Sequence, residues 1–186
     1  MRLEGEEKFS IGGKLLFAHP SLKDPHFRRT ILFISSHEEA EGAFGVVVNR
    51  PMHQRLADLV AEPAFPGLAD VPVYEGGPVS SDELILMAFL DGQAGVPGAF
   101  QVPVSLGDAE EILREGRGFV RAFRGYAGWS AGQLEGELGQ NAWFVKDMDA
   151  ELLAGEPDQK SWLGFMKLKG PAYYLLALAP DDPSLN

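Results

Sequence analysis

Apolar residues in this chain fall in short runs bounded by turn residues, not in long helical stripes. The runs KLLFAH (14–19), TILFIS (30–35) and GAFGVVVN (42–49) follow one another closely. Their length and β-branched content predict three strands, and the short connections predict an antiparallel meander. An acidic turn over 37–41 separates the second from the third. Pro51 has no N–H to give a ladder and is expected to stop the third strand. Leu56, Leu59 and Val60 then recur at helical spacing, predicting a short helix over 53–61. Pro63 to Pro72 reads as loop. Val73-Tyr74 runs into the turn Glu75-Gly76-Gly77-Pro78. The apolar segment ELILMAFL (83–90) is read as strand rather than helix, and 92–103 as loop.

Asp108 is placed to N-cap a helix over 109–115, closed by Gly116. A strand over 119–123 leads into the densest stretch of the chain, GYAGWSAGQLEGELGQNAW (125–143). Ser130, with Gln133 three residues on, has capping-box spacing for a helix over 131–138. Trp129 would stand before that cap as the apolar residue of a staple against Leu134, and should be buried. A strand over 142–145 follows. Leu152-Leu153 and then Trp162, Phe165 and Met166 predict two short helices, and 173–179 is a last apolar element before a frayed tail.

The 186 residues, 45% of them hydrophobic, suit one domain over 1–186 with its core at about 9–179. The absence of cysteine removes disulfides and thiolate chemistry. The charged start MRLEGEE lacks a signal-peptide profile, and no apolar run approaches the roughly 20 residues that span a bilayer. A soluble cytoplasmic protein without membrane contact is expected. A net charge of −11 opposes direct binding to nucleic acid.

Four blocks, GKLLFAHPSLKDPHF, GAFGVVVNRP, VYEGGPV and GYAGWSAGQLEGELGQNAW, occur in an order that resembles the AlgH/YqgE family of bacterial proteins. The resemblance covers most of 12–146 and fades beyond. It implies an α+β fold, a single domain whose bifurcated, coiled, mostly antiparallel sheet packs around helices. It implies no established activity, only a frequent label of transcriptional regulator.

Candidate chemistry is sparse. Gly128-Trp129-Ser130-Ala131-Gly132 fits the G-x-S-x-G elbow of serine hydrolases, but that elbow needs a histidine later in the chain. His19, His26, His37 and His53 all precede Ser130, so no catalytic residue is assigned. The histidines form no ligand pattern, so no metal or cofactor is assigned either. A binding role is the leading reading, for a small molecule or a protein partner. Its candidate residues are the turn residues Asn49, Arg50, Gly76 and Gly77, together with Gly128, Trp129, Gly132 and Gln133. Arg121 and Arg124 join them from a local basic island that also holds Arg114 and Arg117. In the bland alternative the glycines serve packing and the arginines offset nearby carboxylates.

Overall fold

The computed structural model describes residues 10–60, 65–92 and 98–180. Among these residues nine strands join in one mixed sheet that forks. β1 (Lys14–Ala18), β2 (Ile31–Glu38) and β3 (Gly42–Val47) make the expected antiparallel meander. β9 (Trp143–Asp147) extends it along the free side of β1. The stem is the twelve-residue β8 (Gly118–Trp129). Its last residues, from Ala127, pair with β3. Its earlier part pairs antiparallel with β6 (Val79–Leu90) and parallel with β5 (Pro72–Glu75). β4 (Pro51–Arg55) borders β5, and β7 (Phe100–Gln101) borders β6.

Glycines make the fork. The N–H of Gly76 donates to the Arg124 carbonyl (2.7 Å), and its own carbonyl accepts from Val47 N–H (2.8 Å), wedging the turn after β5 between β3 and β8. A Cβ on Gly76 would lie 2.2 Å from the Gly125 carbonyl oxygen, and one on Gly77 2.3 Å from the Tyr126 backbone. No side chain fits at that distance.

Three apolar clusters follow from the alternation of side chains across the forked sheet. Leu15, Phe17, Phe33, Phe89 and Phe123 face inward and meet Trp162 and Met166. The last two come from α5 (Gln159–Lys169), which is flanked by α4 (Ala150–Ala154) and α6 (Pro171–Leu178). Leu16, Leu32, Val47 and Trp129 pack on the other face with Leu134 of α3 (Gln133–Gly139). Val73, Leu86 and Val120 pack with Ile112 of α2 (Leu106–Arg114) and with Leu56 of α1 (Leu56–Leu59).

Several details differ from expectation, β7 within the stretch read as loop over 92–103 and the extension of β8 to Trp129 among them. Pro51 opens β4 instead of ending regular structure, which an outer strand tolerates at its first residue. The helix expected at 53–61 is only the four residues of α1, and 61 lies outside the described residues. α2 begins three residues early because Ser105 Oγ, not Asp108, accepts from the first turn. α3 begins late: Gly132, at φ 75°, occupies the cap, and Ser130 makes only half the predicted box. The Ser130 N–H donates to Gln133 Oε1 (3.1 Å), while its hydroxyl accepts nothing from the helix. The tail after 180 is outside the described residues.

Candidate functional site

The chain leaving β3 turns sharply into β4 through Asn49 and Arg50. Asn49 is fully buried and works as backbone glue. Its Oδ1 accepts from Ile31 N–H (2.7 Å), and its Nδ2 donates to the carbonyls of Arg29 (3.0 Å) and Asp158 (3.5 Å). Arg50 spreads its guanidinium over Glu75 Oε1 (3.2 Å) and the carbonyls of Pro25 and Arg28 (3.3 and 3.4 Å). Beside this turn lies an open cleft of about 490 Å³ with mixed walls, bordered by Asn49, Arg50, His53, Glu75, Asp158 and Gln159 and by the apolar Pro51 and Met52. Asp158 already caps α5, accepting from the N–H groups of Lys160 and Ser161. His53 is exposed and sits at φ 55°, a left-handed conformation that costs a non-glycine residue about 1–2 kcal/mol.

The structure divides the sequence-predicted residues. Asn49 and Arg50 line this cleft. Gly76 and Gly77 are buried in the fork, where their missing side chains admit backbone. Trp129 pairs with Ala43 at the far end of β3, so six residues, or about 20 Å at strand spacing, separate it from Asn49. The Gly-Trp loop therefore does not converge with the Asn49–Arg50 turn. Trp129 is 5% exposed, and its indole Nε1 donates to Glu137 Oε2 (3.0 Å). The Trp143 indole donates to the same oxygen (2.8 Å), and Gln133 Nε2 reaches Glu137 Oε1 (3.3 Å). Gly128 and Gly132 have no backbone crowding.

The basic island also separates. Arg114 and Arg117 pair with Glu111 (3.9 Å) and Glu115 (2.5 Å) at the surface. Arg121 and Arg124 project from opposite faces of β8, being three residues apart. Arg121 is buried among carbonyl oxygens, and Arg124 is part-exposed.

Ser130 follows a strand and precedes a helix, but its described hydrogen bonds all run to Gln133. His37, the histidine bonded to α3, has both ring nitrogens engaged. Nδ1 faces Ile11 N–H (3.4 Å) and Nε2 faces Glu135 Oε1 (2.8 Å), so the neutral ring accepts at the first and donates at the second. Among the described residues no group of three or more side chains is arranged to hold a metal. None of the helices there is long and apolar enough to cross a membrane.

The model of the AlgH-like family matches residues 15–174. The chain belongs to the AlgH-like family. It is 37% identical to a UPF0301 protein of Streptomyces avermitilis, over 97% of both chains. It is 35% identical to one from Chlorobaculum tepidum, over 94% of this chain and 95% of the relative. The solution structure of AlgH from Pseudomonas aeruginosa superposes with a TM-score of 0.63 at 27% identity, covering 96% of this chain and 99% of that one. The crystal structure of DIP2367 from Corynebacterium diphtheriae gives 0.68 at 24% identity, over 94% and 95%, a likeness of fold. The AlgH-like match extends beyond the blocks quoted above through α4 and α5 and into the first half of α6.

Three members of the cleft carry little sequence signal: His53, Glu75 and Gln159. Asp158 carries one, the D-x-x-S spacing of a cap ahead of an apolar run. Glu137 was equally hidden, because nothing local shows that two tryptophans share it.

Proposed function

We propose that this AlgH-like chain is a non-catalytic cytoplasmic binding protein that holds a small polar ligand in the Asn49–His53 cleft. The observation that carries this reading is the left-handed His53 on the rim of that cleft, since backbone strain concentrates at ligand clamps. Arg50 and Gln159 offer donors there, and Glu75 offers acceptors, so a ligand bearing both kinds of group fits the chemistry. Regulation of transcription is compatible with this reading through a protein partner, because a net charge of −11 repels a phosphate backbone.

A thermal-shift screen of metabolites and nucleotides tests it, run on wild type, Arg50→Ala and His53→Gly. Glycine removes about 1–2 kcal/mol of strain and returns about 0.5–1 kcal/mol in unfolded-state entropy. His53→Gly should therefore melt no lower than wild type while losing the response to the ligand. A ligand that stabilises both variants as well as wild type would place binding elsewhere.

A further inference from the structure

The segment 159–180 is composed unlike the rest of the chain. It holds three lysines, Lys160, Lys167 and Lys169, and no acidic residue, in a protein of net charge −11. It forms α5 and α6, joined at Gly170. α6 (PAYYLLAL) carries no charge and is apolar on every side, a composition expected of a helix enclosed by others. Only one side of it is enclosed. Ala177 is buried and Tyr173 and Tyr174 are half-buried, whereas Leu175, Leu176 and Leu178 are 68%, 53% and 52% exposed. Elsewhere among the described residues, apart from Leu168 at the end of α5, exposed large apolar side chains are scattered over β6, β9, α2 and the end of α1. Scattered ones need no explanation; a contiguous patch marks an interaction site.

Lysines stand at both ends of this patch. Lys167 and Lys169 precede the turn into α6. Lys160 borders, with Leu178, an open cleft of about 290 Å³ whose walls include Trp162, Leu163 and Ala177. Lys14 and Lys146 each have an aspartate, but none of these three lysines has a carboxylate within ion-pair distance among the described residues. Lys169 Nζ is held 4.8 Å from the centre of the Phe144 ring, which fixes its place and leaves its charge without a counter-ion. Asp158, the neighbouring carboxylate in the chain, is turned to the cap of α5.

An apolar surface framed by uncompensated cations is complementary to a partner that brings apolar side chains and carboxylates together. A second copy laid on by a two-fold axis would set the lysine-bearing faces against each other, and like charges oppose that contact. A bilayer is flat on this scale and would leave the cleft unfilled, whereas a protein side chain can seat there as an anchor.

We propose that the α5–α6 face is a docking surface for an acidic amphipathic segment of a partner protein, whose apolar side chains cover Leu175, Leu176 and Leu178 and whose carboxylates meet the flanking lysines. This face shares only Gln159 with the Asn49–His53 cleft and does not depend on ligand binding there.

Selection from a random peptide library displayed on phage, with the full chain as bait, tests this without a known partner. A net charge of −11 by itself favours basic peptides. Recovery of peptides rich in Asp and Glu beside Leu, Phe or Trp is therefore the expected and discriminating result. The tightest of them, synthesised with a fluorescent label, should bind in anisotropy titrations and weaken as salt is raised. Its affinity should drop about tenfold or more for Leu176→Ser and for the double variant Lys160→Glu/Lys167→Glu. Both variants change exposed side chains, so their melting temperatures should stay close to that of wild type. No recovery, recovery of basic or neutral peptides, or equal binding to wild type and variants overturns the proposal. A dimer in sedimentation equilibrium that Leu176→Ser dissolves, or flotation with phosphatidylglycerol vesicles that the lysine variant abolishes, also overturns it and gives the face to a second copy or to lipid.

Discussion

Glu137 carries two indoles on one oxygen, and this makes it the most consequential surface-side residue of α3. Trp129 and Trp143 are 5% and 6% exposed, so each N–H would lose its acceptor in an environment nearly closed to water. Glu137→Ala should cost about 2–3 kcal/mol, the scale of leaving buried donors unsatisfied, while Glu137→Gln, which keeps a carbonyl oxygen, should cost less. Urea unfolding of the two variants checks the order. Trp129→Ala should be worse still. Its ring packs with Leu134 and against Phe27, 6.0 Å between centroids, so truncation should cost about 3–5 kcal/mol. Ser130→Ala should change stability by less than about 0.5 kcal/mol, because the hydroxyl caps no helix and is exposed. Equal losses for Trp129→Ala and Ser130→Ala would contradict the burial argument.

At the scale of elements, the fork is the feature on which the fold turns, and glycines decide it. Gly76→Ala would drive a methyl to 2.2 Å from the Gly125 oxygen and should cost about 3 kcal/mol or more by overpacking. Gly136, inside α3, meets nothing within 4 Å; there alanine should stabilise by about 0.5–1 kcal/mol. Chemical denaturation of the two variants should give opposite signs, and a shared sign would show that the crowding at the fork is relieved by other means. The same contrast explains what the sequence discloses. β1, β2 and β3 carry their own apolar runs, so pattern alone predicts them. β4 (PMHQR) and β7 (FQ) do not; they are strands because β5 and β6 offer them a backbone to pair with. The candidate site divides likewise. Asn49 and Arg50 announce a turn, but the opposite wall of their cleft, Asp158 and Gln159, arrives from more than 100 residues away. A local pattern cannot carry that contact. Nor could it show that the predicted turns lie at different ends of β3 and β8.

At the scale of the whole molecule, three displaced ionisations among the described residues bear on the response to acid, and all act in one direction. Lys146 Nζ donates to Asp149 (2.6 Å), and the Leu152 N–H adds a second hydrogen bond (2.9 Å), holding that carboxyl below its ordinary range. Lys14 does the same to Asp147, but the Asp147 side chain is 86% exposed and solvent screens most of the effect. Burial pushes the His19 imidazole below 6.5. A carboxyl depressed in the folded state binds protons more weakly than it does unfolded, so its stabilisation is complete above about pH 3.9 and is lost as pH falls through the folded value. His19 also binds its proton more weakly when folded. Its contribution is complete above about pH 6.5 and declines below that. Stability should therefore begin to fall below about pH 6.5 and fall more steeply below about pH 4. The net charge of −11 works against the first step, since protonation relieves self-repulsion on the way to the pI near 4.8. Salt separates the two effects: at high ionic strength repulsion is screened, and the His19 decline should become plainer. Asp149→Asn isolates the carboxylate, because asparagine still accepts at the cap of α4. Its urea midpoint should lie below wild type at pH 7, and the gap should close as pH drops through 4. If the two curves instead run parallel from pH 7 to pH 3, the ionised Asp149 is not the source of the acid limb.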